Sequence, residues 1–443
     1  MTADISRRTV LAGLAMAGSA PAFAQSLPTN PDVIIIGAGA AGMAAGLQLR
    51  KKGIPFVILE AADRVGGRAH TESQSFGQPV DIGCSWISGA NNNIFTGYGK
   101  RAGFTLVDHT SAGSTLFDLD AKPASDAEWA AYDRAWGAVD RALSRAGQAG
   151  KDVAASTVVP DMPYSATVQS WIGAMDYGVD FEDLSTADYW NSGSDQPSFI
   201  VKEGLGAIVA TLAADLPIRL STPVTAIDYS GPGVRVETAN GTLAAKACLV
   251  TVSTGVLAAG SIRFTPALPV TKQQAIADIP MGLLLKVPLL FDGARLDLLE
   301  NNWVTYRIPE DQAGEACFFV AWPCGHDYLF GNIGGRFGWE LYAQGHEAVV
   351  DYALEELVRC VGSRARQHFV KGIATDWADN PLTLGAYGAP KPGRLSARKT
   401  LEEPLAERVF FAGEAMGGDY SALVNGAYNS GRKVAKTIAK TLA

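Results

Sequence analysis

A glycine-rich turn between an apolar run and a stretch of helix-forming residues constrains the fold of this chain more than any other feature. Four β-branched residues precede the turn, and its glycines are Gly37, Gly39 and Gly42. A second apolar run ends at Glu60, 18 residues after the third glycine. Such a strand, turn and helix hold a pyrophosphate on the N–H groups at the helix N-terminus, and a carboxylate ending the next strand accepts from a ribose. The sequence therefore predicts a dinucleotide-binding βαβ unit.

Two further motifs support a bound dinucleotide over an ordinary glycine turn. They are Arg64-Val-Gly66-Gly67-Arg68 and, near the other end of the chain, Phe411-Ala-Gly413-Glu414. The first glycine pattern alone is weak, because a chain with 48 glycines among 443 residues contains about half a match by chance. A glycine turn in a βαβ unit without a cofactor is the alternative.

The length of 443 residues predicts two domains, since one typical core does not grow to that size. We expect an α/β protein in which residues 32–95, 201–269 and 376–443 form the dinucleotide-binding domain. Residues 96–200 and 270–375 are expected to form an inserted α+β substrate-binding domain on a mixed or antiparallel sheet.

Local patterns predict several elements of these domains. A capping box at Ser125 and Glu128 begins a helix whose apolar face, including Trp129, Tyr132 and Trp136, is expected to be core. Alternating strands between residues 283 and 333 precede a helix over 346–361, and a closing helix covers 426–441. Short strands near residues 218, 234 and 248 are separated by turns that suit hairpins.

Charge and cysteine content exclude some partners. The formal net charge of −8 argues against nucleic acid and favours a neutral or cationic substrate. Five cysteines do not describe a disulfide framework; Cys317 and Cys324 could bridge a hairpin, but buried thiols are the expected state. The five histidines are scattered without metal-ligand spacing, so no metal is expected.

The first 24 residues resemble a twin-arginine export signal. Arg7 and Arg8 precede an uncharged stretch from Val10 to Ala24, shorter than the roughly 20 residues that a membrane-spanning helix needs. We expect cleavage before Gln25 and a periplasmic or secreted protein without a membrane span.

Lys286 lies in a strongly apolar strand between Gly282 and Phe291, where alternation leaves both faces apolar. An ammonium there either reaches water along its aliphatic stem or is held near a polar partner, because burying it unpaired costs several kcal/mol. The residues alone leave a structural and a functional lysine open.

Seven motifs in one order resemble the flavin-containing amine oxidase family, which includes monoamine oxidases, polyamine oxidases and flavin-dependent histone demethylases. Besides the glycine turn and residues 64–68, the likeness rests on residues 81–86, 251–257, 281–286, 377–387 and 411–414 with 426–431. The resemblance implies a Rossmann-like FAD-binding domain of the two-dinucleotide-binding type and non-covalent FAD.

The resemblance also implies roles for single residues. Lys286 would hold a water near flavin N5, and Tyr387 and Trp377 would form a wall facing the flavin; these three are the expected catalytic residues. Glu60 would bind the adenosine ribose, and Glu414 the ribityl–phosphate region. The full set of expected cofactor-binding residues is Gly37, Gly39, Gly42, Glu60, Arg64, Gly66, Gly67, Arg68, Gly83, Cys84, Ser85, Trp86, Val224, Gly413, Glu414, Leu423 and Val424.

Three departures from the family pattern bear on chemistry. Ala386 stands where monoamine oxidases carry the cysteine bonded to the flavin, so covalent attachment there is impossible. Leu423 replaces the second aromatic of the flavin-facing cage, and Tyr189 or Trp190 are candidates to compensate. Ser88 stands where polyamine oxidases tend to carry His or Glu, which favours a compact apolar amine over spermidine.

The expected function is oxidation of a small-molecule amine by hydride transfer to flavin N5, followed by imine hydrolysis and reoxidation by O2 to give hydrogen peroxide. A periplasmic amine dehydrogenase that passes electrons to a cytochrome or quinone is one alternative. A polyamine oxidase and a catalytically inactive flavin-binding protein are the others. The oligomeric state stays open, with a homodimer as one option.

Overall fold

A five-stranded parallel sheet forms the centre of the dinucleotide-binding region in the computed structural model, which describes residues 30–193 and 196–443. The export segment predicted at residues 1–24 lies outside the described residues. Every neighbouring pair in the sheet runs parallel, which confirms the predicted Rossmann-like α/β architecture. In spatial order the strands are Val409–Phe411, Ala247–Val250, Val33–Ile36, Phe56–Leu59 and Ile218–Arg219.

The helix Ala40–Lys51 follows the glycine turn directly and packs against the closing helix Val424–Thr441. The two helices approach closely at Gly431, where a Cβ would collide with the backbone of Ala41. The same reasoning explains Gly42, where a Cβ would collide with the carbonyl oxygen of Gly37. The turn thus places the helix N-terminus against the end of the first strand.

A four-stranded sheet packs beside the parallel sheet and contains two hairpins, which join Val234–Thr238 to the strand before it and to Gly241–Ala245 after it. The predicted hairpin turns on both sides of residue 234 are confirmed, whereas the strands near residues 218 and 248 pair in parallel with strands of the glycine-turn unit. Short apolar strands do not by themselves reveal whether their partner is a neighbour in sequence. The other two strands of this sheet are Val224–Asp228 and Arg263–Thr265.

A six-stranded mixed sheet forms the second core, and its largest apolar cluster contains residues 283, 285, 287 and 289. Five strands run antiparallel, and the edge strand Ser114–Phe117 pairs in parallel with Asn302–Tyr306. The other strands are Phe369–Gly372, Leu284–Phe291, Tyr328–Gly334 and Phe318–Ala321. The chain thus builds this sheet from two separate segments.

Helices cover the outer faces of these sheets. The predicted capping box is present at the start of Asp126–Gln148, and the predicted helix His346–Val361 has the expected bounds. The remaining α-helices are Ile94–Ala102, Ser165–Gln169, Thr186–Asn191, Leu205–Ala210, Thr254–Ala258, Val270–Ala277, Gly335–Tyr342, Arg364–His368 and Ala397–Glu402. Ser170–Tyr177 is a π-helix, and short 3-10 turns cover Ala155–Thr157, Thr211–Ala213, Pro323–Gly325, Glu414–Met416 and Gly418–Tyr420.

Three small sheets connect the two regions and carry the segments of the site. They pair Thr71–Glu72 with Val80–Asp81, Phe199–Val201 with both Trp86–Ile87 and Leu106–Asp108, and Met281–Gly282 with Tyr387–Gly388. All five cysteines are free thiols. Within the described part of the chain, no His, Cys, Asp or Glu cluster could hold a metal, and no helix is long and apolar enough to cross a membrane.

Candidate active site

Two glycine turns face each other at the N-terminus of the first helix. Gly39 and Gly66 form an isolated parallel bridge, and Gly66 N donates to the Ala38 carbonyl oxygen at 2.9 Å. A Cβ on Gly39 would meet only the Gly66 carbonyl oxygen, at 3.9 Å, so the space above the turn is open. No side chain caps this helix, which leaves its first N–H groups available to an anion.

Glu60 ends the second parallel strand beside this turn and is 8% exposed. Its carboxylate accepts from Ala38 N at 2.6 Å and from Ala62 N at 2.8 Å. These two bonds fix the carboxylate next to the glycine turn and leave lone pairs on both oxygens for ribose hydroxyls. Val224 begins a strand of the adjacent four-stranded sheet and is also buried.

Arg68 and Glu414 join the second glycine turn to the C-terminal motif. Arg68 Nη1 donates to Glu414 Oε1 at 3.0 Å and to the Ala386 carbonyl oxygen at 2.7 Å. Glu414, 7% exposed, also accepts from Gly388 N. Arg68 is 25% exposed and can contact a phosphate only from this paired geometry. Arg64 instead donates to carbonyl oxygens of its own turn.

The loop expected along the isoalloxazine is held by Lys286. Lys286 Nζ donates to the carbonyl oxygens of Asp81, at 3.0 Å, and Gly83, and to Ser85 Oγ. The lysine is 4% exposed, so it does not reach water along its stem. Phe330 and Trp86 lie 4.8 and 5.9 Å from Nζ, measured to their ring centroids. Of the two alternatives for this ammonium, the structure shows the one in which polar partners hold it.

Burial lowers the pKa of Lys286 to about 8, although the Asp81 carboxylate acts in the opposite direction. Burial also raises the pKa of the Asp81 carboxyl, which accepts from the backbone N–H groups of Leu205 and Gly206. Cys84 lies on the same loop, and burial raises the pKa of its thiol to about 12. The thiol therefore stays protonated and is a poor nucleophile near neutral pH.

Tyr387 and Trp377 stand beside this loop, as expected for one wall. Gly282 pairs with Tyr387, which brings the tyrosine next to the short strand Met281–Gly282, directly before the strand that carries Lys286. The Tyr387 hydroxyl donates to the Met175 carbonyl oxygen at 3.0 Å, and Trp377 Nε1 donates to the Ile82 carbonyl oxygen at 3.1 Å. Trp377 also contacts the Gly83 position, where a Cβ would lie 3.5 Å from its ring. Both rings are thus fixed in orientation.

The closing helix presents a second uncapped N-terminus, at Leu423 and Val424. Asn425, the next residue, is 3% exposed, and its Oδ1 is buried without a hydrogen-bond partner among the described residues. An acceptor kept unpaired at this position suits a bound group that donates to it. Asn425 was not predicted as a site residue, because it lies outside the motif residues.

An unexpected carboxylate lies beside Tyr387. Asp176 is exposed at the end of the π-helix, one residue after the carbonyl that accepts from Tyr387. Burial raises the pKa of the Tyr387 hydroxyl, and the Asp176 carboxylate raises it further. Burial is the main cause that raises the pKa of Tyr132, Tyr177 and Tyr189, and Asp176 makes a smaller contribution in the same direction. A carboxylate in the neighbourhood of several tyrosines is suited to bind an organic cation.

Two other carboxylates of this region form ion pairs. Asp188 forms a two-point ion pair with Arg398, and Asp180 pairs with Arg336. Of the candidates to complete the aromatic cage, Tyr189 donates to Asp140 and its ring lies 6.0 Å from that of Tyr177, measured between centroids. Trp190 is 45% exposed.

These features fit FAD. Open space above paired glycines, an uncapped helix N-terminus and a fixed carboxylate suit the adenosine diphosphate half. The unpaired Asn425 acceptor and the loop from Gly83 to Trp86 suit the ring half. The individual residue roles expected from the sequence stay predictions.

Comparison with known proteins gives a family and a fold. The family model described as flavin containing amine oxidoreductase matches residues 40–124 and 148–439. The chain is 29% identical to polyamine oxidase 4 of Oryza sativa subsp. japonica, covering 93% of this chain and 89% of that protein. It is 27% identical to human lysine-specific histone demethylase 2, with coverage of 93% and 53%.

Solved structures share the fold. Wild-type putrescine oxidase bound to putrescine superposes with a TM-score of 0.78 at 20% identity, covering 92% of this chain and 99% of that chain. Identity at this level supports the architecture but not the choice of substrate.

Proposed function

We propose a substrate class from the premise that this chain belongs to the flavin containing amine oxidoreductase family and is an FAD-dependent amine oxidase. The substrate is an amine with a second cationic group, a diamine or polyamine. The observation that carries this proposal is the position of the Asp176 carboxylate, directly after Met175, whose carbonyl oxygen accepts from the Tyr387 hydroxyl.

FAD supplies, when bound, a hydride acceptor at N5 and a route for electrons to O2. The protein supplies orientation: Tyr387 and Trp377 are fixed by their hydrogen bonds, so the reacting amine meets a rigid wall. Lys286 holds the loop from Gly83 to Ser85 and places a positive charge beside it. O2 as the acceptor is part of this proposal, because a cation stabilises the negative charge that oxygen gains.

Asp176 determines which amines are held well. The reacting nitrogen must be neutral so that the α-carbon beside it can lose a hydride, whereas a distal nitrogen stays charged near neutral pH. An ammonium in an apolar channel without a partner costs several kcal/mol, and a carboxylate removes much of that cost. Ser88, which is buried, contributes no charge. The polyamine oxidases and putrescine oxidase found by comparison act in line with this preference.

Rapid anaerobic mixing tests the proposal against a compact apolar amine, which stays the competing prediction. We expect second-order rate constants for flavin reduction about tenfold or more higher for putrescine or spermidine than for butylamine or phenylethylamine, since one charge-assisted hydrogen bond is worth about that factor. A faster reaction with phenylethylamine would overturn the assignment of Asp176. Reduction by none of the four would instead favour an inactive flavin-binding protein.

The FAD is expected to be non-covalent. Ala386 offers no sulfur, and the Cys84 thiol, with its pKa raised to about 12, is not reactive. Acid precipitation should therefore release all yellow colour into the supernatant, measured by absorbance. Flavin retained in the washed pellet would contradict this, and peptide mapping would then identify the residue linked to it.

A further inference from the structure

An unbroken series of aromatic side chains leads from the cofactor loop to the apolar face of the helix Asp126–Gln148. Trp86 stacks on Trp303 with centroids 5.5 Å apart and planes 11° apart. Trp303 meets Trp171 at 4.9 Å, Trp171 meets Trp136 at 6.4 Å, and Trp136 meets Tyr132 at 6.0 Å, each between centroids. We call these five side chains the aromatic series.

The two ends of the series lie in different environments. Trp86 follows Ser85, the residue that accepts from Lys286 Nζ, so it adjoins the expected ring-binding loop. Trp171, in the middle, is 9% exposed, whereas Trp136 and Tyr132 are partly exposed at the surface. The series therefore joins the interior of the site to solvent. Packing of aromatic side chains in a core requires that the rings touch, but it does not require a series that runs from the site to solvent.

A buried histidine provides a proton acceptor at the inner end. Trp86 Nε1 donates to His109 Nδ1 at 3.3 Å, and the His109 ring lies 5.5 Å from Trp303, between centroids. His109 is 4% exposed, and burial lowers its pKa, so the imidazole is neutral and can accept a proton. An indole that loses an electron becomes a strong acid at Nε1, and a hydrogen-bonded neutral base makes that loss easier.

We propose that the aromatic series carries oxidising equivalents away from the cofactor site to the protein surface. An oxygen-centred radical formed beside the cofactor, such as hydroxyl, takes one electron from Trp86 and becomes hydroxide, while the Trp86 Nε1 proton moves to His109. Trp303 then reduces Trp86 as His109 returns the proton, and the hole moves on through Trp171 and Trp136. Tyr132 loses an electron and a proton last.

A reductant in solution completes the cycle. A thiol gives Tyr132 one electron and one proton, so the net change is that hydroxyl radical and thiol become water and a thiyl radical. Transfer in short steps is favoured over a single long step because tunnelling rates fall exponentially with distance. The series would protect the flavin-binding loop from damage during O2 reduction. This physiological role rests on the proposed use of O2, whereas electron transfer along the series does not.

Flash excitation of the FAD-loaded protein tests the series independently of turnover, because blue light makes the bound flavin a one-electron oxidant. Transient absorption should show a tryptophan radical followed by a long-lived tyrosyl radical in the wild type. Trp171→Phe should lose the tyrosyl signal, since phenylalanine is much harder to oxidise. The Trp171 indole Nε1 has no hydrogen-bond partner among the described residues, so this change removes no hydrogen bond.

Two further variants make the result decisive. Trp136→Phe, nearer the surface, should also lose the tyrosyl signal and serves if Trp171→Phe does not fold. Trp322→Phe, a buried tryptophan outside the series, should keep it. Peptide mapping after illumination in air should find oxidised Tyr132 in the wild type and oxidised Trp86 in the two series variants. An unchanged tyrosyl signal in both series variants, or an equal loss in Trp322→Phe, would overturn the proposal.

Discussion

Lys286→Met is expected to slow reoxidation of the reduced flavin by O2 by roughly tenfold or more, because one charge aimed at a developing anion is worth several kcal/mol in a dry site. Reduction by the amine should change much less, since Lys286 contacts the cofactor loop rather than the wall formed by Tyr387 and Trp377. Stopped-flow mixing of the reduced protein with oxygenated buffer measures the first rate constant, and anaerobic mixing measures the second.

The pH dependence of reoxidation gives a second measurement on the same residue. Burial lowers the pKa of Lys286 to about 8, so the ammonium is charged below that pH and neutral above it. The wild-type rate constant should therefore fall as pH rises through about 8, and that of Lys286→Met should stay flat over the same range. A fall of equal size in both proteins would assign the dependence to another group.

Lys272→Met is the matched control, because Lys272 is the other buried lysine with three acceptors. Its Nζ donates to the carbonyl oxygens of Thr400, Leu401 and Glu403, and burial lowers its pKa to about 8 as well. Each variant strips a lysine from buried acceptors and should lose about 1–3 kcal/mol of unfolding free energy. Only Lys286→Met should alter reoxidation. Equal reoxidation in the two variants would make Lys286 a structural lysine.

Local sequence patterns were sufficient for the dinucleotide-binding half of the site. The strand Val33–Ile36, the glycine turn and the buried Glu60 follow from four apolar residues, three glycines and one carboxylate within a short segment. Each depends on contacts between near neighbours in sequence, which propensity and spacing describe well. The capping box at Ser125 was predictable for the same reason.

The amine-binding half depends on pairings that spacing does not reveal. Tyr387 reaches the segment that precedes the strand of Lys286 because Gly388 pairs with Met281 and Tyr387 with Gly282, more than a hundred residues apart. The Lys286 pattern left two roles open, and its partners Gly83 and Ser85 lie some two hundred residues away. Long-range register of this kind is set by the tertiary fold rather than by local preference.

Asp176 was not predicted at all, because an exposed aspartate in a helical segment gives no signal by itself. Its position depends on the π-helix Ser170–Tyr177, whose extra residue per turn displaces side chains from their α-helical positions. Two nearby aspartates, Asp180 and Asp188, form ion pairs with Arg336 and Arg398. Charge content alone therefore could not single out Asp176.

Asp176→Asn should separate substrates by charge. The change keeps the shape of the side chain and removes its charge, so a diamine loses its distal partner whereas a monoamine loses nothing. We expect the second-order rate constant for flavin reduction by putrescine to fall by about tenfold or more, which corresponds to one charge-assisted hydrogen bond, with little change for butylamine. The loss should appear mainly in the amine concentration needed for half-maximal reduction, because Asp176 does not contact the reacting carbon.

Asp183→Asn provides the control, since it removes an equal charge from an exposed aspartate a few residues away. Asp183 is not among the groups that raise the pKa of the Tyr387 hydroxyl. If the acidic surface only attracts cations at long range, both variants should weaken that attraction equally. A bound ammonium at Asp176 predicts that only Asp176→Asn discriminates between putrescine and butylamine, and that the difference persists at high salt, because a pair inside the site is screened little. A parallel loss in the two variants that disappears at high salt would reduce Asp176 to one charge of an acidic surface, and would return the compact apolar amine to first place among substrates.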